Sequence, residues 1–215
     1  SGMDLLNPYA WNLASTPYED SNPKFPEAEK VNDIAYGKNR ALLAWYTVDG
    51  IFTRKSSSSR PRHLTNDDLS NHYTRGVSYK EIFPNKELGT NDNTTLPVLN
   101  LAFYPNERGP YNLDAENVNS DGTLGNPEKR WGGVMRKIEP SDLESANYEY
   151  IEFWLLDPYL EDETAEGGDL YFNLGEISED ILKDERKFFE NGMPVDGDMS
   201  KVDTTVWGKV PRTQS

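Results

Sequence analysis

Alternation of apolar and polar residues marks the strand-like segments of this chain. The clearest case places Ile151, Phe153 and Leu155 on one face and an aromatic, partly polar set on the other. This period of two is typical of β-strands. The strands predicted in this way, or from strand-like composition, are residues 40–48, 96–104, 134–138, 150–157, 170–174 and 204–210.

Two local signals add a turn and a short helix to these strands. Asp49-Gly50, followed by Ile51 and Phe52, predicts a hairpin with a type I′ turn. A short helix is expected over residues 66–73, capped by Thr65 or Asn66.

A longer helix is predicted near residues 178–191. Ser178 is a good N-cap, and Glu179 and Asp180 follow it in the first turn, where the helix dipole favours negative charge. Gly192 would end this helix, so we expect about three turns docked on a sheet.

Prolines set the N-terminal part of the chain apart. Residues 1–39 contain Pro8, Pro17, Pro23 and Pro26, which interrupt any helix, so we expect an extended arm. Residues 40–211 would then form the body. The order of elements predicts a single all-β domain over residues 1–215, an antiparallel jelly-roll-like β-sandwich with one C-terminal helix packed on it.

Composition excludes several classes of function. The chain has 215 residues, no cysteine and a net charge of −15. Disulfides, thiolate metal sites and cysteine nucleophiles are therefore excluded, and the charge disfavours nucleic acid or anionic lipid as a partner. The sequence contains no apolar run long enough to span a membrane as a helix, so we expect a soluble segment.

Aromatic residues on the polar face of the predicted sheet form the first candidate site. Tyr148, Tyr150, Trp154 and Tyr171 are the rings that would stack on sugars, with Glu152 and Asn173 as hydrogen-bonding neighbours. The alternative is that the same rings are covered by another part of the protein or by a partner, since aromatic residues commonly anchor interfaces.

Acidic residues form a second candidate site. Asp157, Glu161, Asp162 and Asp169 gather hard oxygen ligands on one loop, which makes calcium the one candidate ligand; no other cofactor is predicted. The alternative is a solvated charged loop, because the spacing follows no known calcium-loop rule.

Hydrolysis of glycans is a third hypothesis, and the pattern disfavours it. A glycosidase needs two carboxylates on either side of one bond. Glu149 and Glu152, near the aromatic residues, are the candidate pair, but they alternate onto opposite faces of the predicted strand. We therefore expect no enzymatic activity.

Several ordered sequence blocks resemble a known family. They include ALLAWYTVD from Ala41, LAFYPNERGPYN from Leu101, DGTLGNPEKRWGGVMRKIE from Asp121, YIEFWLLDPY from Tyr150 and GGDLYFNLGEISEDILKD from Gly167. In this order they are similar to the SprA family, also called Sov, of giant outer-membrane proteins in Bacteroidetes. One departure is Asp49-Gly50, where the family suggests Asp-Pro.

The resemblance implies a role without catalytic residues. SprA is the translocon of the type 9 secretion system, a large β-barrel in the cell outer membrane on which gliding motility depends. This chain would be a soluble segment of it, facing the periplasm or the cell exterior and serving assembly, gating, or contact with a partner or cargo. Its partners would be the rest of the barrel, accessory subunits and secreted cargo.

Two tryptophans are the expected interface anchors. Trp131 lies in a basic stretch with Arg130, Arg136 and Lys137, which we expect to pair with acids elsewhere in the parent protein. Trp154 would be the second anchor. The rival function, of another class, is a carbohydrate-binding module of a cell-envelope protein that uses the aromatic face.

Overall fold

The computed structural model describes residues 5–18, 24–31, 33–54, 58–138, 142, 144–145, 147–175, 177–181, 183–186, 193–194 and 196–213. Short strands and two one-turn helices, joined by 3₁₀ turns, make up its regular structure. In chain order these are β1 (Asn12–Leu13), β2 (Ala41–Tyr46), α1 (Asn66–Leu69), β3 (Val77–Ser78), α2 (Tyr79–Ile82), β4 (Thr95–Leu96), β5 (Asn100–Arg108), β6 (Val134–Met135), β7 (Val202–Thr204) and β8 (Lys209–Pro211).

The described strands associate in pairs. β2 pairs with β5, and the pairs β1–β6, β3–β4 and β7–β8 are antiparallel. In the first of the antiparallel pairs Asn12 lies opposite Met135 and Leu13 opposite Val134. The chain is therefore mainly β, as the sequence predicts.

The chain divides into two compact units. Unit 1 comprises Ser1–Ala10, Trp45–Asn100 and Lys137–Tyr171, and unit 2 comprises Trp11–Ala44, Leu101–Arg136 and Phe172–Ser215. The single domain over residues 1–215 stays a prediction.

Unit 1 holds both helices. α1 begins at Asn66 because the Thr65 side chain accepts the Asp68 amide while the Asp68 carboxylate accepts the Thr65 amide, a reciprocal capping box. Leu69 from α1 and Val77 from β3 are buried. The helix capped by Thr65 is confirmed, although it ends at Leu69.

Unit 2 holds the described core cluster. Ile34, Met193 and Val202 are buried against one another, and Leu113 and Met199 pack on them. This core is small and draws on segments far apart in sequence.

Much of the predicted N-terminal arm belongs to these packed regions. Tyr36 is buried, its hydroxyl donates to the carbonyl of Thr16, and the Thr16 hydroxyl donates to the carbonyl of Tyr36. Glu27 is fully buried, and Asn12–Leu13 form β1. The described part of residues 1–39 therefore contains 3₁₀ turns and a short strand and supplies buried contacts, and the arm itself stays a prediction.

Two predicted strands, residues 150–157 and 170–174, are not formed as strands in the structure. Their alternation is present, but their residues join no described ladder. Residues 204–210 also differ, because they span parts of two strands joined by a turn at Thr205 and Gly208. β5, in contrast, runs through Pro105 to Arg108.

The Asp49 side chain explains why the predicted type I′ turn does not form. The Asp49 carboxylate accepts the amide of Ile51 and starts a 3₁₀ turn over Gly50–Phe52 instead of a type I′ turn. Among the described residues, the ladder neighbour of β2 is β5, so the predicted hairpin is not formed there.

The helix predicted near residues 178–191 does not form over its described part. Residues 178–181 and 183–186 are bends and irregular chain, and residues 182 and 187–191 lie outside the described residues. Lys183 and Glu185 have φ of 55° and 66°, which a right-handed helix excludes. The Asp180 carboxylate accepts the Glu185 amide and stabilises this irregular path.

Candidate functional site

Residues 150–156 form a segment of unit 1 that we call the open segment. Tyr150 is 80% exposed, Ile151 50%, Trp154 70% and Leu155 67%. No residue of the segment has a positive φ, which is compatible with a strand. A run of large apolar side chains this exposed is typical of an interaction surface.

Five residues of the open segment have backbone groups that are free to form hydrogen bonds. In the described part of the chain, Tyr150, Ile151, Glu152, Leu155 and Leu156 form no hydrogen bonds. Unpaired donors and acceptors along an apolar segment are what an edge strand presents to another chain.

Two contacts hold the end of this segment within unit 1. His72 Nε2 lies 2.6 Å from the carbonyl oxygen of Asp157, and the Tyr73 hydroxyl donates to the carbonyl oxygen of Pro158 at 2.9 Å. His72 is buried, and the turn that carries it follows α1. The C-terminal end of the open segment is therefore held in place by the two residues that follow it.

Among the described residues, Trp154 has one ring neighbour. The edge of the Phe83 ring meets it in a T-shaped contact with 6.3 Å between centroids. Tyr150 has no ring contact among the described residues. Both rings leave most of their surface open, as a sugar-stacking or a protein-binding surface requires.

The other predicted aromatic and polar residues are less uniform. Tyr148 is more than one-third exposed, Glu152 and Asn173 are exposed, and Tyr171 donates its hydroxyl to Asp169 Oδ2 at 2.7 Å. Because residues 150–157 and 170–174 form no described ladder, no paired sheet face unites these residues.

The predicted calcium ligands are engaged locally. Asp157 Oδ1 accepts the Tyr159 amide, and Asp162 Oδ1 accepts both the hydroxyl and the amide of Thr164. These Thr164 hydrogen bonds lower the pKa of the Asp162 carboxyl, the hydroxyl contributing most. Glu161 is exposed.

Within the described ranges, no three histidine, cysteine, aspartate or glutamate side chains come together as a metal site would require. The acidic loop thus consists of separate Asx-type turns.

Trp131 has a different environment from Trp154. It is partly buried in unit 2, where its indole N–H donates to Glu27 Oε1 at 3.0 Å. Phe25 meets its ring edge to face, and the Arg40 guanidinium lies 5.0 Å from its ring centroid. These contacts make Trp131 part of the packing of unit 2.

Three arginines of unit 2 organise the long connection after β5. Arg130 is buried and donates to the carbonyl oxygens of Lys38, Gly125 and Asn117 and to Asp114 Oδ2. Arg40 donates to the carbonyls of Pro110 and Ala14, and Arg108 to those of Asn112 and Asp114.

Within the basic stretch, Arg130 pairs with Asp114 of this chain; pairing of the stretch with acids elsewhere in the parent protein stays a prediction. Arg136 in the same stretch lies over the Trp11 ring, 5.6 Å from its centroid.

No sequence pattern indicates this network. Arg130 lies in a basic stretch, and Asp114 is one of 37 acidic residues. Their pairing depends on the fold of the connection, and no spacing rule signals it.

A buried ion pair lies elsewhere in unit 2. Lys209 Nζ is 3.1 Å from Asp184 Oδ2, and both side chains are almost fully buried. Lys183, Glu185 and Arg186 line the hollow beside it. The charges in this hollow are mixed. Lys209 Nζ and Asp184 Oδ2 attract each other by charge, but neither atom has a hydrogen-bond partner among the described residues.

No helix in the described residues has both the length and the apolar character needed to cross a membrane.

Two comparisons with known proteins found no relative. No protein family matches the chain, and no curated protein sequence is significantly similar to it.

Proposed function

We propose that this chain is a non-enzymatic domain of an outer-membrane protein translocon of the type 9 secretion system. It would serve assembly, gating, or contact with a partner or cargo. The support is the ordered set of sequence blocks that resemble the SprA family, among them the open segment itself. Its location would then be the cell outer membrane, on the periplasmic or the outer side.

One observation carries the proposed contact role. Tyr150, Ile151, Trp154 and Leu155 are each at least half exposed on a backbone with free hydrogen-bonding groups. Apolar surface of this kind is unfavourable in water, and it becomes stabilising when a neighbouring chain covers it. The rest of the barrel, an accessory subunit or cargo would be that neighbour.

The jelly-roll-like sandwich belongs to the same proposal. The described strands are short and lie in pairs, whereas a sandwich needs wider sheets. Residues 150–157 and 170–174 have strand-like alternation and would extend these sheets once neighbouring segments of the parent protein are present.

A carbohydrate-binding module is the second candidate function. It is favoured by the exposure of Tyr150 and Trp154, which lie four residues apart and share a face whenever the segment is extended. Two such rings would stack on successive sugar units, with Glu152 between them as a hydrogen-bonding group.

Replacement of the two rings in the parent protein tests the proposal. Tyr150→Ser with Trp154→Ser should leave the isolated chain folded, because both rings are mostly exposed, and should reduce cargo secretion and gliding. The control is Tyr9→Ser, which alters another highly exposed ring. Full secretion with both rings removed would contradict the contact role.

A glycan array on the isolated chain separates the two functions. Binding that requires Tyr150 and Trp154 in the chain, together with normal secretion by the double variant, would establish the carbohydrate-binding module in place of the translocon contact.

A further inference from the structure

The open segment combines the properties of an incomplete sheet edge. Its apolar residues alternate, its φ values are negative, and five of its seven residues form no hydrogen bond in the part of the chain that is described. A site that bound a partner through its side chains alone would not require free backbone groups. Strand addition uses both features, because main-chain hydrogen bonds supply affinity and alternate side chains supply specificity.

We propose that residues 150–156 accept an extended strand of a partner protein whose sequence alternates apolar and basic residues. This inference rests on the function proposed above and specifies the chemistry of the partner. The open segment becomes a strand when the partner strand is added, and the partner's apolar side chains cover Ile151 and Leu155 or Tyr150 and Trp154.

Charge selects the basic character of this partner. Glu152 lies in the middle of the segment, and Glu149 and Asp157 flank its ends. Residues directly opposite one another on neighbouring strands have Cβ atoms about 4.5–5.5 Å apart, and opposite charges at such positions are favourable. Glu152 lies on one face of the extended segment, and Glu149 and Asp157 lie on the other. An alternating partner strand is therefore matched when its lysine or arginine residues lie opposite Glu152, or opposite Glu149 and Asp157.

The same charges disfavour a second copy of this chain. An antiparallel self-pairing centred on Glu152 places Glu152 opposite itself, and one centred on Phe153 places Glu149 opposite Asp157. Like charges at directly opposite positions are destabilising. A net charge of −15 adds long-range repulsion between copies.

The tether beyond the segment lowers the entropic cost of strand addition. His72 and Tyr73 hold the carbonyls of Asp157 and Pro158, so one end of the acceptor is fixed before the partner arrives. A segment held at one end loses less conformational freedom on binding than a free chain.

A labelled peptide probes the proposal directly. The probe is a nine-residue peptide of alternating valine and arginine with blocked termini, and binding to the whole chain is followed by fluorescence anisotropy. A second peptide has the same side chains but N-methylated amides at alternate positions, which prevents pairing along one edge. We expect the first to bind and the second to lose at least about tenfold in affinity.

Proline substitutions locate the edge. In an antiparallel ladder, alternate residues direct their backbone groups to opposite edges, so Ile151→Pro blocks one edge and Glu152→Pro the other. Neither amide is hydrogen-bonded in the structure, so the fold should persist. One proline variant should lose binding at least about tenfold, while Ile151→Thr and Glu152→Gln serve as controls that keep the amides.

The outcomes separate the alternatives. Equal binding by both peptides, or normal binding by both proline variants, would show attraction by charge alone and overturn strand addition. Glu128→Lys, a charge reversal at another exposed site, measures how much general charge attraction contributes to binding. A dimer of the chain that Ile151→Pro abolishes would make a second copy the occupant and also overturn it. Failure of the peptide with loss of secretion in the Tyr150/Trp154 variant would reject strand addition and keep the proposed function.

Discussion

Arg130 and Asp114 form an ion pair in which Nη1 lies 3.0 Å from Oδ2 and the side chains are 1% and 4% exposed. Two further groups, the amides of Glu116 and Asn117, donate to the other carboxylate oxygen. The pair lies within the connection between β5 and β6 and joins its two ends. Buried charges this well bonded are costly to separate.

Removal of the charge of Asp114 should destabilise unit 2. Asp114→Asn keeps the size of the side chain but leaves the Arg130 guanidinium buried without its carboxylate, so we expect a loss of about 3 kcal/mol in the free energy of unfolding. Urea denaturation followed by circular dichroism measures it. Asp121→Asn, at an exposed turn of the same connection, is the control; equal losses in the two variants would contradict a special role for the pair.

The same carboxylate should make stability depend on pH. Burial raises the pKa of Asp114, but the hydrogen bonds from the Asn117 amide, Arg130 and the Glu116 amide outweigh it, and the pKa is lowered. A carboxyl whose pKa falls on folding stabilises the fold fully above its unfolded pKa of about 3.9, and this stabilisation is lost as pH falls through the lowered value.

The difference in unfolding free energy between the native chain and Asp114→Asn should therefore be constant above about pH 5 and shrink in stronger acid. Denaturation series at several pH values check it. A difference that grew toward acid would show that the pKa is raised instead.

The two tryptophans named as interface anchors should behave differently. Trp131→Ala removes a partly buried ring that packs on Phe25 and bonds Glu27, so we expect a loss of about 3 kcal/mol. Trp154→Ala removes a mostly exposed ring with one edge contact, so we expect about 1 kcal/mol or less. Thermal and urea denaturation of both variants checks this, and comparable losses would place Trp154 in a core.

Gly109 should tolerate no side chain. A Cβ at this position would collide with the backbone carbonyl of Ala41, which belongs to β2, so Gly109→Ala should destabilise the chain by about 2 kcal/mol. The matched control is Gly125→Ala, where the nearest backbone oxygen would be 3.5 Å away. Similar midpoints of denaturation for the two variants would show that β2 yields easily.

Calcium should leave the chain unchanged. Asp157, Asp162 and Asp169 already accept local hydrogen bonds, and the described residues contain no cluster of three candidate ligands. Millimolar calcium should therefore shift the melting temperature by less than about 1 °C. A rise of several degrees that EGTA reverses and Asp162→Asn abolishes would identify an ion site in the acidic loop.

Local sequence signals correctly predicted elements that a neighbouring strand or a capping residue stabilises. β2, β5, β6 and α1 occur where alternation or a capping residue indicated them. In contrast, residues 150–157 have the clearest alternation and no described strand partner. Alternation reports which side chains prefer to be covered, but a strand also needs a second chain beside it.

Short-range hydrogen bonds account for other differences. Asp49 and Asp180 each accept an amide farther along the chain and hold a local turn or bend where a hairpin and a helix were predicted. Aspartate competes with regular backbone hydrogen bonds in this way. The aromatic residues of the candidate site were predicted individually, whereas the Arg130–Asp114 pair required the folded connection.

The three arginines that hold the long connection after β5 bond mainly to main-chain oxygens. Arg40, Arg108 and Arg130 together reach the carbonyls of seven residues: Ala14, Lys38, Pro110, Asn112, Asp114, Asn117 and Gly125. Every amino acid supplies a carbonyl, so these arginine contacts place no requirement on the side chains of Ala14, Lys38 and Pro110. Asn112 and Asp114, in contrast, are buried and are also held through their side chains. Natural variants should therefore retain the three arginines together with Asn112 and Asp114, and change more readily at positions that are held only through the main chain.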